Sequence, residues 1–268
     1  MIIDFHTHCY PDLLAKKALG NVPKDSPFGA FYDGTLPGLV DYIRRCGVER
    51  AVTLHIATRP DYVRSVNDWA AVCQSTENIY AFGTIHPEFK DYKEEIKRLK
   101  AQGIRGLKFH PYYQQFDVDD RRVYRIYEAA AGEGMIMLFH TGVDSRNAGD
   151  YCSPKKFHRF VCDFKGAMIV GAHLGGMFWW QEAFDLLLGK DIYLDTSCAF
   201  RFLSEEEKVR LLKEHDNKRI LFGSDTPWVD IADDIKALES YLTKENKDDI
   251  FYNNAMELLK PICNDLIK

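Results

Sequence analysis

The chain has 268 residues, 46% of them hydrophobic and 28% charged, the make-up of an ordinary soluble globular protein with room for a large core. The net charge is −5 with no block of basic residues, which argues against a nucleic-acid groove. No apolar run reaches the length of a membrane span, the opening stretch carries Asp4, His6, His8 and Asp12 instead of a signal-peptide core, and the seven cysteines are scattered without a C-x-x-C pair, so reduced thiols in a cytoplasmic protein are expected.

Residues 1–8, Met-Ile-Ile-Asp-Phe-His-Thr-His, read as a strand because Ile2, Ile3 and Phe5 are β-branched or aromatic. Alternation turns His6 and His8 to one face, with Cα atoms roughly 6.5–7 Å apart. Two imidazoles so placed can share one ion, with metal–nitrogen bonds of about 2.1 Å. The plain alternative is a pair of surface histidines near a terminus. Cys9, next in line, reads as a small packing residue.

Residues 9–34 form a long loop punctuated by Pro11, Gly20, Pro23, Pro27, Gly29 and Gly34, with a short helix expected over 12–19. Its Phe28, Phe31 and Tyr32 read equally well as a pocket wall and as staples to the body. Thr35 then caps a helix reaching about Cys46, ended by Gly47. From there strands alternate with helices. Strands are expected over 49–57, 79–86, 104–110, 135–140, 167–173, 192–197 and 219–225. Helices are expected over 61–74, 92–102, 121–132, 154–164 with Ser153 as cap, 178–188, 204–215 opened by a capping box, 231–242 and 253–259. Short, nearly all-apolar strands separated by helices imply a parallel sheet buried on both faces. Eight such units in this length fit an α/β fold of the (β/α)8 TIM-barrel type, a single domain over 1–268. An open doubly wound sheet fits less well, because no glycine-rich phosphate loop follows the first strand.

In such a barrel the chemistry gathers at the C-terminal ends of the strands. His6, His8, His86, Lys108, His110, His140, His173 and Asp225 all stand there. One buried histidine is weak evidence; this set around one rim suits zinc, manganese or iron. Arg59 after strand two is placed either to pair a substrate carboxylate or to sit in solvent. His86 lines the pocket or packs. Tyr112, with Tyr113 and Gln114, follows strand four as a pocket wall. Trp179 and Trp180 open a helix, one toward the pocket and one packed, with Trp179 taken as the substrate-side residue. Asp195 is expected to hydrogen-bond behind the site. His55 reads as packed, and His158 and His215 lie in helices.

His6-x-His8, Leu107-Lys108-Phe109-His110-Pro111, Phe139-His140-Thr141-Gly142, Gly171-Ala172-His173-Leu174-Gly175-Gly176 and Leu221-Phe222-Gly223-Ser224-Asp225-Thr226-Pro227-Trp228 together resemble the amidohydrolase superfamily. The likeness is to its amidohydrolase-related branch, which includes aminocarboxymuconate-semialdehyde decarboxylase-like enzymes and lactonases. It implies a divalent metal, zinc first with manganese or iron as alternatives, on His6, His8, His140 and Asp225. It gives Asp225 a second duty in moving a proton, and places His173 as a second ligand site or a catalytic neighbour. Lys108 stands where some two-metal members carry a carboxylated lysine; here it is carboxylated, neutral or turned toward a substrate anion. His110, two residues on, binds metal or substrate, or hydrogen-bonds the next loop.

Two activities follow from the resemblance. One is hydrolysis of a small ester, lactone or amide, with Asp225, His173 and Lys108 as catalytic groups. The other is non-oxidative decarboxylation of an aromatic or dienoic acid. A nuclease sharing the His-x-His start is disfavoured by Lys108, where a glutamate would be expected. A barrel that only binds is the remaining reading. The expected partner is a small-molecule substrate, with neither nucleic acid nor membrane; a homodimer stays open.

Overall fold

The computed structural model describes residues 1–20, 29–144 and 149–260. Pro23, Pro27, Phe28 and Cys263 lie outside the described residues. The strands are β1 (Ile3–Thr7), β2 (Arg50–Leu54), β3 (Ile79–Gly83), β4 (Gly106–Phe109), β5 (Ile136–Phe139), β6 (Ile169–Gly171), β7 (Tyr193–Asp195) and β8 (Ile220–Leu221). They pair in chain order, all parallel, with helices between them. The chain beyond β8 meets β1. Phe5 N–H donates to Phe222 O at 2.8 Å, Asp225 N–H to His6 O at 2.8 Å, and His8 N–H to Thr226 O at 2.9 Å. The result is a nearly closed TIM barrel, as the strand–helix alternation predicts.

Alternation along each strand divides the core in two. Ile3, Phe5, Val52, Leu54, Phe82, Ile136, Leu138, Val170 and Leu221 pack together with Ala255 and Leu258 of the last helix, Asn254–Leu259. Leu107, Phe109, Met137, Phe139 and Leu194 face the helix layer instead. Gly106 makes room in this packing: a Cβ there would lie 2.4 Å from the Phe82 ring. Gly142, at φ +83°, lets the loop after β5 approach Met177, whose backbone nitrogen would stand 2.0 Å from a Cβ.

The observed strands are shorter than those expected, mostly at their C-terminal ends. There the chain leaves the ladder so that polar side chains can turn into the barrel mouth. Three segments differ in kind. A short helix, Pro111–Gln114, follows β4, with His110 at its N-terminus. The chain after β8 holds an extra helix, Lys244–Asp248, and a π-turn over Asp249–Asn253. Ser153 precedes its helix, with Pro154 at the first position, without a side-chain cap bond. Thr35 and Ser204 do cap: Gly38 N–H donates to Thr35 Oγ1 at 3.0 Å, and Ser204 forms the expected capping box with Glu207.

Candidate metal centre

β1 delivers two histidines through an irregularity. Its register with β2 shifts between Asp4 and Thr7. Phe5 therefore packs inside the barrel, and His6, the next residue, also reaches the mouth. Strict alternation would have set the two on opposite faces. The rings of His6 and His8 stand 5.3 Å apart. Asp4, fully buried behind them, accepts His6 N–H at 3.1 Å, Ser224 N–H at 3.0 Å and the Ser224 hydroxyl at 2.6 Å. It thus ties β1 to the segment carrying Asp225.

The hydrogen bonds assign the tautomers. His6 Nδ1–H donates to Asp195 Oδ2 at 2.9 Å, and His8 Nδ1–H donates to the Leu54 carbonyl at 3.0 Å. In the neutral rings both Nε2 atoms then carry bare lone pairs. Asp225 Oδ1 lies 3.3 Å from His6 Nε2 and 3.0 Å from His8 Nε2. Three electron-rich atoms so converge at one point, all within 4.8 Å of one another. Tetrahedral ligands on bonds of about 2.1 Å stand roughly 3.4 Å apart, so the residues present fit a divalent ion. Burial acts against the Asp225 carboxylate, but His6 and His8 hold its pKa well below the usual range. Burial and Lys108 act to lower His6; Asp195 and Asp225 outweigh them and raise it. Asp225 takes positive φ, 73°, a backbone state uncommon outside glycine and here imposed by the turn that aims it.

Lys108 is buried, with Nζ 3.4 Å from His6 Nε2. Burial brings its pKa down to about 8, against the pull of Asp195 and Asp225. Asp195 organises the rear of the site. Its Oδ1 accepts His173 N–H and Ser197 N–H, both at 3.1 Å, and the Ser197 hydroxyl as well. His6 and its neighbours hold Asp195 down to about 2 against burial.

His173 also has positive φ, 55°. Its Nδ1–H faces the Ser197 carbonyl at 2.9 Å, so its Nε2 is an acceptor for His140 Nδ1–H at 3.0 Å. Burial takes its pKa down to about 4. The reading from sequence sets His140 with His6, His8 and Asp225; in the structure a ring nitrogen of His140 also lies within 4.8 Å of ligand atoms of His110 and Asp144. The His110 and His140 rings stack at 4.1 Å, and burial takes both pKa values well below the ordinary one.

The proposed substrate residues divide. Tyr112 is buried edge-on to His140, with ring centres 5.8 Å apart. His86 is buried, and its Nδ1 accepts Glu88 N–H at 3.2 Å. Arg59 points to solvent, 65% exposed, beside Asp61 and over the Tyr62 ring. Of the tryptophans Trp180 is buried and donates its indole N–H to the His173 carbonyl at 3.1 Å, while Trp179 is half-buried in a cleft with Phe178 and Gln181 that Trp180 also lines. Tyr32 is buried against Tyr42 and donates to the His8 carbonyl, so in the described part of the long loop it acts as a staple. Asp4, Ser197 and Asp144 were not singled out from sequence; Ser197, two residues past Asp195, was open to the same alternation argument.

The family model described as Amidohydrolase matches residues 3–260. The chain belongs to this amidohydrolase family. No curated protein matches the sequence. Among solved structures, 5-carboxyvanillate decarboxylase from Sphingomonas paucimobilis is similar at 13% identity, covering 96% of this chain and 98% of that one, with a TM-score of 0.71. A probable 2-pyrone-4,6-dicarboxylic acid hydrolase from Acinetobacter baumannii, with citric acid bound, is similar at 14% identity over 96% and 98% of the two chains, TM-score 0.67. A dihydroxybenzoic acid decarboxylase from a Polaromonas species, with bound manganese and 2-nitroresorcinol, is similar at 15% identity over 96% of each chain, TM-score 0.70. These likenesses establish the fold. Among the described residues no helix is long and apolar enough to cross a membrane.

Proposed function

We propose that this amidohydrolase-family enzyme is a metal-dependent hydrolase of a small ester, lactone or amide. The observation that carries the reading is Asp225, an ionised carboxylate set between two imidazole lone pairs yet 16% exposed toward the mouth. His6, His8 and Asp225 would hold the ion, with zinc favoured by two nitrogens and a carboxylate. When bound, a divalent ion supplies Lewis-acid chemistry, polarising an oxygen and lowering the pKa of water toward 7.

The chain's own residues do the rest. Asp225 accepts the proton of the attacking water and returns it to the leaving group. Lys108 Nζ, protonated below about pH 8, donates to the developing oxyanion. His173 has both ring nitrogens engaged within the protein, so its part is to hold the His140 tautomer. Tyr112 and His86 wall the pocket. We place the activity in the cytoplasm on a small-molecule substrate, as the scattered thiols suggest.

Decarboxylation is the second reading, favoured by the same Lys108. When the bond to a carboxylate carbon breaks, its electron pair stays on the substrate carbon, carbon dioxide leaves, and Lys108 supplies the proton. Two of the similar folds carry decarboxylase names. The test is turnover of a panel of lactones, esters and dihydroxybenzoates with added zinc or manganese, read as acid release and as carbon dioxide. Hydrolysis without carbon dioxide supports the first reading; carbon dioxide release without hydrolysis replaces it with the second. Asp225→Asn is expected to lower the rate on the working substrate by about 10²–10⁴-fold.

A further inference from the structure

Cys9 and Cys73 meet in the layer between the strands and the helices. Cys9 follows β1, and Cys73 lies in the last turn of the helix Val63–Gln74. They are 64 residues apart in the chain, yet their Sγ atoms stand 3.6 Å apart, and both side chains are buried. A disulfide bond is about 2.05 Å long, so the remaining gap is about 1.5 Å, shared between two side chains. The same helix holds the Cys9 backbone in place: the Trp69 indole N–H donates to the Cys9 carbonyl at 3.3 Å.

The surroundings separate the two sulfurs in character. Thr53 of β2 and His55 just beyond it are buried beside Cys73, with Thr53 Oγ1 3.1 Å from His55 Nε2. A hydrogen bond from Cys9 draws the Cys73 thiol down, against burial, and His55 and Thr53 add to it. That bond and burial raise Cys9. Cys73 is therefore the thiolate side of the pair, and Cys9 keeps the proton. The buried cysteines elsewhere lack this asymmetry: burial pushes the Cys152 and Cys198 thiols well up, which leaves them inert.

We propose that Cys9 and Cys73 are a reversible dithiol–disulfide pair oxidised by hydrogen peroxide. The Cys73 sulfur attacks one peroxide oxygen, the O–O bond breaks, and the sulfur becomes a sulfenic acid. The other oxygen leaves as hydroxide and takes up the proton that Cys73 had shed, giving water. The Cys9 sulfur then attacks the Cys73 sulfur. The S–S bond forms, the S–O bond breaks, and the departing hydroxide takes the Cys9 proton as a second water. Two thiols and one peroxide thus give one disulfide and two waters. Burial selects the oxidant, because a peroxide is close to water in size while glutathione disulfide is too large to reach either sulfur. The bond would tie the exit of β1, one residue past His8, to the helix Val63–Gln74. The pair goes beyond the function proposed above and does not depend on an ion being bound.

The test is treatment of the folded full chain, as purified, with hydrogen peroxide, then unfolding and alkylation, read by intact mass and peptide mapping. The expected result is the joint loss of two of the seven thiols, a peptide linking Cys9 to Cys73, and recovery of both thiols with dithiothreitol. Cys9→Ala should stop at a sulfenic acid on Cys73 that dimedone labels. Cys73→Ala should leave Cys9 a free thiol. Melting temperatures show whether the variants fold, and the wild-type map decides the question without them. Alkylation of both Cys9 and Cys73 while the exposed Cys162 is oxidised overturns the pair and leaves two packed thiols. A dimedone label on Cys9 in Cys73→Ala, with none on Cys73 in Cys9→Ala, overturns Cys73 as the sulfur that meets the peroxide.

Discussion

At the scale of single residues the site depends on which nitrogen of each ring carries its proton. Asp195 settles this for His6 and, through Ser197, helps to settle it for His173. A carboxylate behind a ligand imidazole raises its basicity and holds its orientation. Asp195→Asn presents an amide that can turn its N–H₂ toward His6 Nδ1 and favour the opposite tautomer. Zinc affinity should then fall by about 10–100-fold. Competition with a chelator of known affinity measures it; an unchanged affinity would show that Asp195 only packs. The carboxylate was open to sequence reading, since Tyr-Leu-Asp-Thr-Ser ends a strand. The buried Asp4 was not, because its role rests on Ser224, far away in the chain.

At the scale of elements, local chemistry placed the helices well where a cap was written into the chain. Ser204 Oγ accepts Glu207 N–H at 3.2 Å, and Ser204 N–H donates to Glu207 Oε2 at 2.8 Å, on the helix Glu205–Glu214. Ser204→Ala removes one half of this reciprocal cap and should cost about 1 kcal/mol. Denaturant unfolding reads it as a lower midpoint with an unchanged slope; a slope change would mean more than the cap was lost. Strand ends were less legible. The bulge in β1 brings Phe5 and His6 to the interior in succession, which no period-two pattern foresees. Trp180, at the start of its helix, donates its indole N–H to the His173 carbonyl and is buried with Ala183, Phe184 and Leu187 on one face.

At the scale of the molecule, the barrel and its helices are joined by buried polar groups as well as by apolar packing. Asp234, on the helix Ile231–Glu239, lies 3.5 Å from Arg201 Nε in the turn after β7. Burial raises its carboxyl to about 8 from 3.8, more than Arg201 offsets. The folded chain therefore keeps this proton over a range in which the unfolded chain has lost it. The resulting stability is present in full below about pH 4, declines as pH rises toward 8, and is gone above that. Asp234→Asn should flatten that decline and leave the variant the more stable of the two near pH 8. Chemical denaturation across pH 5–8.5 checks it; parallel curves for the two proteins would contradict it.

The sequence by itself determined the barrel, the strand-end rim and the family, because strand–helix alternation and polar residues that stop apolar strands are properties of neighbours in the chain. It also marked His6, His8, Lys108, His110, His140, His173 and Asp225 as residues of one rim. Only the tertiary structure decided how that rim divides. His140 stacks on His110 and hydrogen-bonds His173, contacts between three different strands. His6 and His8 meet Asp225 because the chain after β8 pairs with β1 across the closing seam. Such choices depend on side chains from strands far apart in sequence meeting within hydrogen-bond range, and no local pattern encodes those distances.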